Sequence, residues 1–187
     1  MKRTICALLC LALGCGLLAG CGGKPKIPPE NFPHSETLRL DATEEEMLAI
    51  EDVKPHVLVD HVVEGYYDRT EPAVVDGIEF KLSFWCFDSD NLLGHYMTSR
   101  DDQDFSAEYQ QLDKYFTKIY GEGGEVPPRD PITGPDPFNT LDEKRWFYTL
   151  DNGQEYAITL THESSLEEVE GHPQYHLAIS VFNAVWQ

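Results

Sequence analysis

Gly77-Ile78-Glu79-Phe80-Lys81-Leu82-Ser83-Phe84-Trp85-Cys86-Phe87 carries the strongest pattern in the chain. Ile78, Phe80, Leu82, Phe84 and Cys86 alternate with Glu79, Lys81, Ser83, Trp85 and Phe87. A period of two predicts a half-buried β-strand. Asp88-Ser89-Asp90-Asn91 is turn chemistry, so Leu92 to Ser99 returns as the second arm of a hairpin. On this register Ile78, Phe80, Leu82, Phe84 and Cys86 face the core, and Trp85 and Phe87 lie on the opposite face.

The flanking segments supply what such a sheet packs against. Phe105, Tyr109, Leu112, Phe116, Ile119 and Tyr120 form one apolar stripe of a helix. Lys114 and Lys118 suit its negative end, and Gly121 closes it. Thr43 with Glu46 makes a Thr-x-x-Glu capping box for a second helix, which carries Met47, Leu48 and Ile50 and stops before Pro55. Thr37 to Leu40 reads as a short strand, and His56 to Val63, rich in valine, as another.

Further on, Arg145–Leu150 and Gln154–Glu163 pair across Asp151-Asn152-Gly153, a strong hairpin signal. Tyr156, Ile158, Leu160 and His162 share a face. Tyr175 to Ala184 is the last strand, with Leu177, Ile179 and Val181 on one side. The order implies an α+β fold, an antiparallel sheet with two main helices on one face. Helix-then-strands occurs twice, at 43–99 and 104–184, which is compatible with two α-β-β(-β) halves. Gly121 to Lys144, with five prolines, reads as either disordered chain or a functional loop, with disorder the favoured reading.

At the other end of the chain, Lys2 and Arg3 precede an uncharged run from Thr4 to Ala19 that ends in Leu18-Ala19-Gly20-Cys21. The run is short for a membrane span, which needs about 20 apolar residues. This resembles the bacterial lipoprotein signal with its lipobox at residues 18–21. The resemblance implies a diacylglyceryl group on the Cys21 thiol, cleavage before it, and an extracytoplasmic, lipid-anchored domain. Two acyl chains hold a protein stably where one holds it marginally. The organisation expected is a signal peptide at 1–20, a Pro-rich tether at 21–36 and a single domain at 37–187. Extended proline-rich chain at about 3.1 Å per residue would hold that domain up to roughly 45 Å from the bilayer. The helix-then-hairpin order is also similar to the β-lactamase-inhibitor-like and small outer-membrane assembly lipoprotein folds, which are binding and scaffolding modules. That likeness rests on element order and carries no motif.

The 187 residues contain 33 acidic and 14 basic side chains. Without Lys2 and Arg3 the balance is 12 against 33, a formal charge of −21. Such a surface repels nucleic acid and anionic headgroups. With Cys21 lipidated and Cys6, Cys10 and Cys15 removed, Cys86 is the remaining thiol, so no internal disulfide forms.

No residue is assigned a catalytic, cofactor-binding or metal-ligating role. His172 and His176 are four apart, but Pro173 separates them in a strand pattern, so they share no helical face. Asp88-Ser89-Asp90 and Asp101-Asp102-Gln103-Asp104 echo calcium loops without the glycine and glutamate of an EF-hand. Ser164-Ser165 has no nucleophile elbow. The candidate partner-binding surface is Trp85, Phe87 and Phe182, three aromatics on the face away from the helices. The expected function is a binding or scaffolding module of the cell envelope, engaging a protein or glycan. The alternatives are an envelope hydrolase and a carbohydrate-binding module.

Overall fold

The structure, a computed structural model, describes residues 27–88, 91–126, 138–165 and 174–184. Helix α1 spans Glu44–Ile50 and α2 spans Ser106–Tyr120. The strands are β1 (Val53–Leu58), β2 (His61–Arg69), β3 (Ala73–Val75), β4 (Ile78–Phe80), β5 (Leu82–Asp88), β6 (Asn91–Asp101), β7 (Gly124–Glu125), β8 (Phe138–Thr149), β9 (Glu155–Ser165) and β10 (Tyr175–Asn183). Eight of them form one antiparallel sheet in the order β1-β2-β5-β6-β10-β9-β8-β7, and β3 and β4 form a small sheet of their own. The fold is α+β.

The strand order follows from two halves. Each half contributes one helix and four strands to the large sheet, each set meanders, and the last strands, β6 and β10, pair with each other. Thr43 caps α1 as its sequence demands: its side chain accepts from the Glu46 amide, and Glu46 reaches back to the Thr43 amide. Met47 of α1 and Tyr109, Leu112 and Phe116 of α2 enter one core cluster on the same face of the sheet. Phe116 packs 5.2 Å from the Trp146 ring of β8. Ile158, Leu160, Leu177, Ile179 and Val181 fill the middle, in the phase their alternation indicates.

The strand at 77–87 is not continuous. Its first part pairs with β3 and its second with β2 and β6, and the chain bends at Lys81 between them. One extra residue exchanges the two faces of a strand. Phe80 therefore faces the core from β4, whereas Ser83, Trp85 and Phe87 face it from β5. Leu82, expected inside, is 67 % exposed. Phe84 and Cys86 lie on the outer face, where Phe84 packs 5.3 Å from Tyr96 and Cys86 stands opposite Gly94. Cys86 is buried nonetheless.

The tether is shorter than the proline content implies. Asn31 bridges Arg39, and Phe32 is fully buried with its ring edge-on to Trp85 at 4.7 Å. The Leu38 and Leu40 amides bond back across this loop, to Ser35 Oγ and the Glu30 carbonyl. The domain thus begins by Glu30, and the expected strand at 37–40 is half of a closed loop plugged into the core. Expected strand 56–63 is likewise two strands joined at Val59-Asp60. Expected loop 121–144 contains β7 and the first half of β8, and residues 127–137 lie outside the described residues.

Truncating Trp85→Ala should cost about 3–5 kcal/mol of stability, the range for a large buried aromatic. Leu82→Ala, three residues away, should change it by less than about 0.5 kcal/mol. Chemical denaturation measures both, and the reverse ranking would restore the unbroken alternation.

Candidate functional site

The break at Lys81 separates the three aromatics that formed the expected binding surface. Trp85 and Phe87 are core residues on the helix side. Phe182 stays on the outer face, where its ring occupies the space a Cβ on Gly94 would need, with ring atoms 2.3 Å from that position. The carbohydrate-binding alternative rested on these rings standing together, and the structure does not bring them together.

The polar candidates are also engaged locally. Asp101 pairs with Lys81 at 3.2 Å. Asp104, two residues before α2, accepts from the Ser106 amide and hydroxyl at 2.9 and 2.8 Å. His172 is outside the described residues, and His176 packs against Phe138 with ring centroids 4.5 Å apart. Buried His162 has Asp104 3.0 Å from Nε2 and Asp142 3.5 Å from Nδ1. The two carboxylates lie on opposite sides of the imidazole, so the three cannot converge on one ion. The Ser106 hydroxyl is bonded to Asp104 rather than to the imidazole, so His162 activates no nucleophile there. Among the described residues no group of three or more His, Cys, Asp or Glu is placed to hold a metal.

What the chain does present is the β1–β2 hairpin. Val57, Leu58, Val59 and Val62 at its tip are 56, 61, 83 and 65 % exposed. Val59 and Asp60 form the two-residue turn with φ of +48° and +65°. Such a turn needs positive φ at both positions and normally uses Asn-Gly or Asp-Gly; a β-branched residue there is strained. Gly65, at φ +75°, sits where β2 meets β5, and a Cβ on it would be 2.5 Å from the Phe87 carbonyl oxygen. Only glycine lets the strands approach there.

Clefts flank the hairpin on both sides. The larger, about 630 Å³, is lined by Glu44, Glu64, Gly65, Tyr67, Phe87 and Asp88 among others. There the Tyr67 hydroxyl donates to the Glu44 carboxylate, and that bond, with burial, pushes the phenol up to about 12. The smaller, about 310 Å³, is lined by His56, Leu58, Val63, Tyr66 and Phe84 and is almost wholly apolar. His56 Nδ1 is fixed 2.9 Å from Asp68 Oδ1 at its edge. The β-branching of 56–63 favours a strand, but its alternation fails: Val57-Leu58-Val59 and Val62-Val63 are consecutive apolar residues, which a half-buried strand does not show.

Behind the hairpin, the core holds a polar cluster. His95 stacks on Trp85 at 3.7 Å and 7°, and His34 lies 4.7 Å from His95. Arg69 pairs with Glu51, whose other oxygen is 3.4 Å from His34 Nε2. That long approach aside, the ring nitrogens of both histidines are buried without a hydrogen-bond partner. Burial drives both imidazoles below their ordinary range, His95 furthest, with Arg69 adding to it. Burial raises Glu51, but the nearness of His34 and the charge of Arg69 outweigh it and hold the carboxyl low.

With this geometry in hand, comparison with known proteins yields no matching family model, no matching curated protein and no matching solved structure. Among the described residues no helix is long and apolar enough to cross a membrane.

The histidines set an acid limit. Their folded pKa values lie below the unfolded 6.5, so the unfolded chain takes up protons first as pH falls. Stability is therefore whole above pH 6.5 and declines below it, by about 1.4 kcal/mol per pH unit for each neutral histidine. Urea denaturation at pH 7 and 5 should show this decline, and His95→Phe should make it shallower. An unchanged acid limb in His95→Phe would mean that His95 is protonated in the folded protein.

Proposed function

We propose that this chain is a membrane-anchored extracytoplasmic lipoprotein whose single domain is a binding or scaffolding module, with the β1–β2 hairpin as its contact surface. The observation that carries the reading is the tip itself. Four large aliphatic side chains stand clear of the domain on a chain of net charge −19. Contiguous exposed apolar groups mark sites of association, and here they lie between two clefts. The anchor is supported by the charged start, the uncharged run and the Leu18-Ala19-Gly20-Cys21 box.

The hydrolase alternative finds no support at His162, which lies between two carboxylates, because the neighbouring Ser106 hydroxyl is bonded to Asp104 rather than to the imidazole. A binding module needs no such group. It needs a rigid sheet and an apolar projection, and both are present.

Two experiments test the reading. Cys21→Ser should abolish fatty-acid labelling and release the domain from the membrane fraction or leave it as precursor. Label that survives in the variant, or that never enters the wild type, overturns the anchor. Separately, Leu58→Asp with Val62→Asp should leave thermal stability within about 0.5 kcal/mol of wild type, because those side chains face solvent. A large loss would place the tip in a core rather than on a contact surface.

A further inference from the structure

One row of residues crosses the six inner strands of the sheet: Tyr66, Cys86, Gly94, Phe182, Ala157 and Phe147 stand opposite one another in turn. From this row β2 runs down to the Val59-Asp60 turn, and β8 and β9 run to the 151–153 turn, on the same side of the row. The start of the described chain sits by that second turn. Asn152 Nδ2 donates to Asp41 at 3.4 Å, and residue 40 is bonded to Glu30. Glu30, near the start of the described chain, and the apolar tip therefore lie toward the same end of the sheet.

Only six positions separate Cys21 from Ile27, the first described residue. Even fully extended they reach about 20 Å, so a bilayer holding Cys21 lies close to this end. Main-chain pairing with a partner strand is disfavoured at the β1 edge, because Pro55 lacks a donor and the register shifts between Pro55 and Val57. The tip must act through its side chains. Between Val57 and Val63 the ionisable residues are Asp60 and His61, so the tip carries little of the negative charge that keeps the rest of the chain off anionic headgroups.

We propose that the Val57–Val62 tip enters the headgroup region of the same bilayer, making a second membrane contact that orients the domain. This rests on the anchor reading above. Valine and leucine are suited to that shallow layer, about 5–10 Å deep, and the flanking Lys54 and His56 can remain at headgroup level.

The test uses the full chain carrying Val59→Trp, with Leu82→Trp as a control. Leu82 is as exposed as the tip but lies toward the other end of β5. Both are reconstituted into phosphatidylcholine vesicles with or without brominated acyl chains and recovered by flotation. Bromines should cut the emission added by Val59→Trp by roughly half or more, as for an apolar group at interfacial depth, and should leave the emission added by Leu82→Trp unaffected. Emission added by Val59→Trp that bromines do not reduce in floated vesicles overturns the proposal while leaving the anchor intact, which fatty-acid labelling of the same sample confirms. In that case a doubled mass in sedimentation would assign the tip to a second copy, and a monomer would assign it to a protein partner. A chain that does not float at all overturns tip contact and anchor together.

Discussion

The Ser99 hydroxyl accepts from the Lys81 amide at 3.2 Å and donates to the Glu79 carbonyl at 2.9 Å. These two bonds hold a strand broken at Lys81, and the break decides which rings are core. Before it the chain belongs to the small sheet, which Gln111 of α2 clasps through the Asp76 carbonyl at 2.8 Å. After it the chain belongs to the large sheet, with Ser83, Trp85 and Phe87 turned toward the helices. Had the alternation run through unbroken, Leu82 and Phe84 would have displaced Trp85 from the core. The ring that Phe32 and His95 pack against would then face outward.

That break explains what the sequence made legible and what it hid. Element type was readable wherever pattern and punctuation agreed: the Thr43–Glu46 box, the stripe of α2, the Asp151-Asn152-Gly153 turn, and the alternation of β9 and β10 all appear as read. The phase of β5 was not readable, because a one-residue bend leaves no mark in a run where both faces are apolar. Trp85 and Phe87 are as apolar as the residues they alternate with, so hydropathy could not choose between the faces. Prolines at 28, 29 and 33 misled in another way. They do bend the chain, but into a loop closed on Phe32 rather than into a spacer.

The same core carries an electrostatic burden. His34 and His95 are buried with their ring nitrogens unsatisfied, which is costly for polar groups. Neutral imidazole packed among aromatic rings is the least costly form of that burial, and it holds only while the rings stay unprotonated. The Glu51–Arg69 pair beside them satisfies its own charges internally. The domain therefore keeps His34 and His95 neutral by packing, and an acidic surface on a chain with 33 carboxyl side chains gives it no help below neutrality.

Turn chemistry sets the β1–β2 tip apart from the other hairpins. Where β3 meets β4 the chain uses Asp76-Gly77, with glycine at φ +87°, and where β8 meets β9 it places Gly153 at +85°. Glycine enters that region without steric cost. At the tip the chain instead sets valine at +48°, a conformation costing on the order of 1–3 kcal/mol. Strain of that size persists in a fold when neighbouring packing imposes it, yet Val59 is the most exposed of the tip residues and belongs to no core cluster. Asn-Gly at the same two positions would close the turn with less strain and lower its apolarity. Packing within the described domain does not call for valine at that turn, which accords with the contact role proposed for the tip.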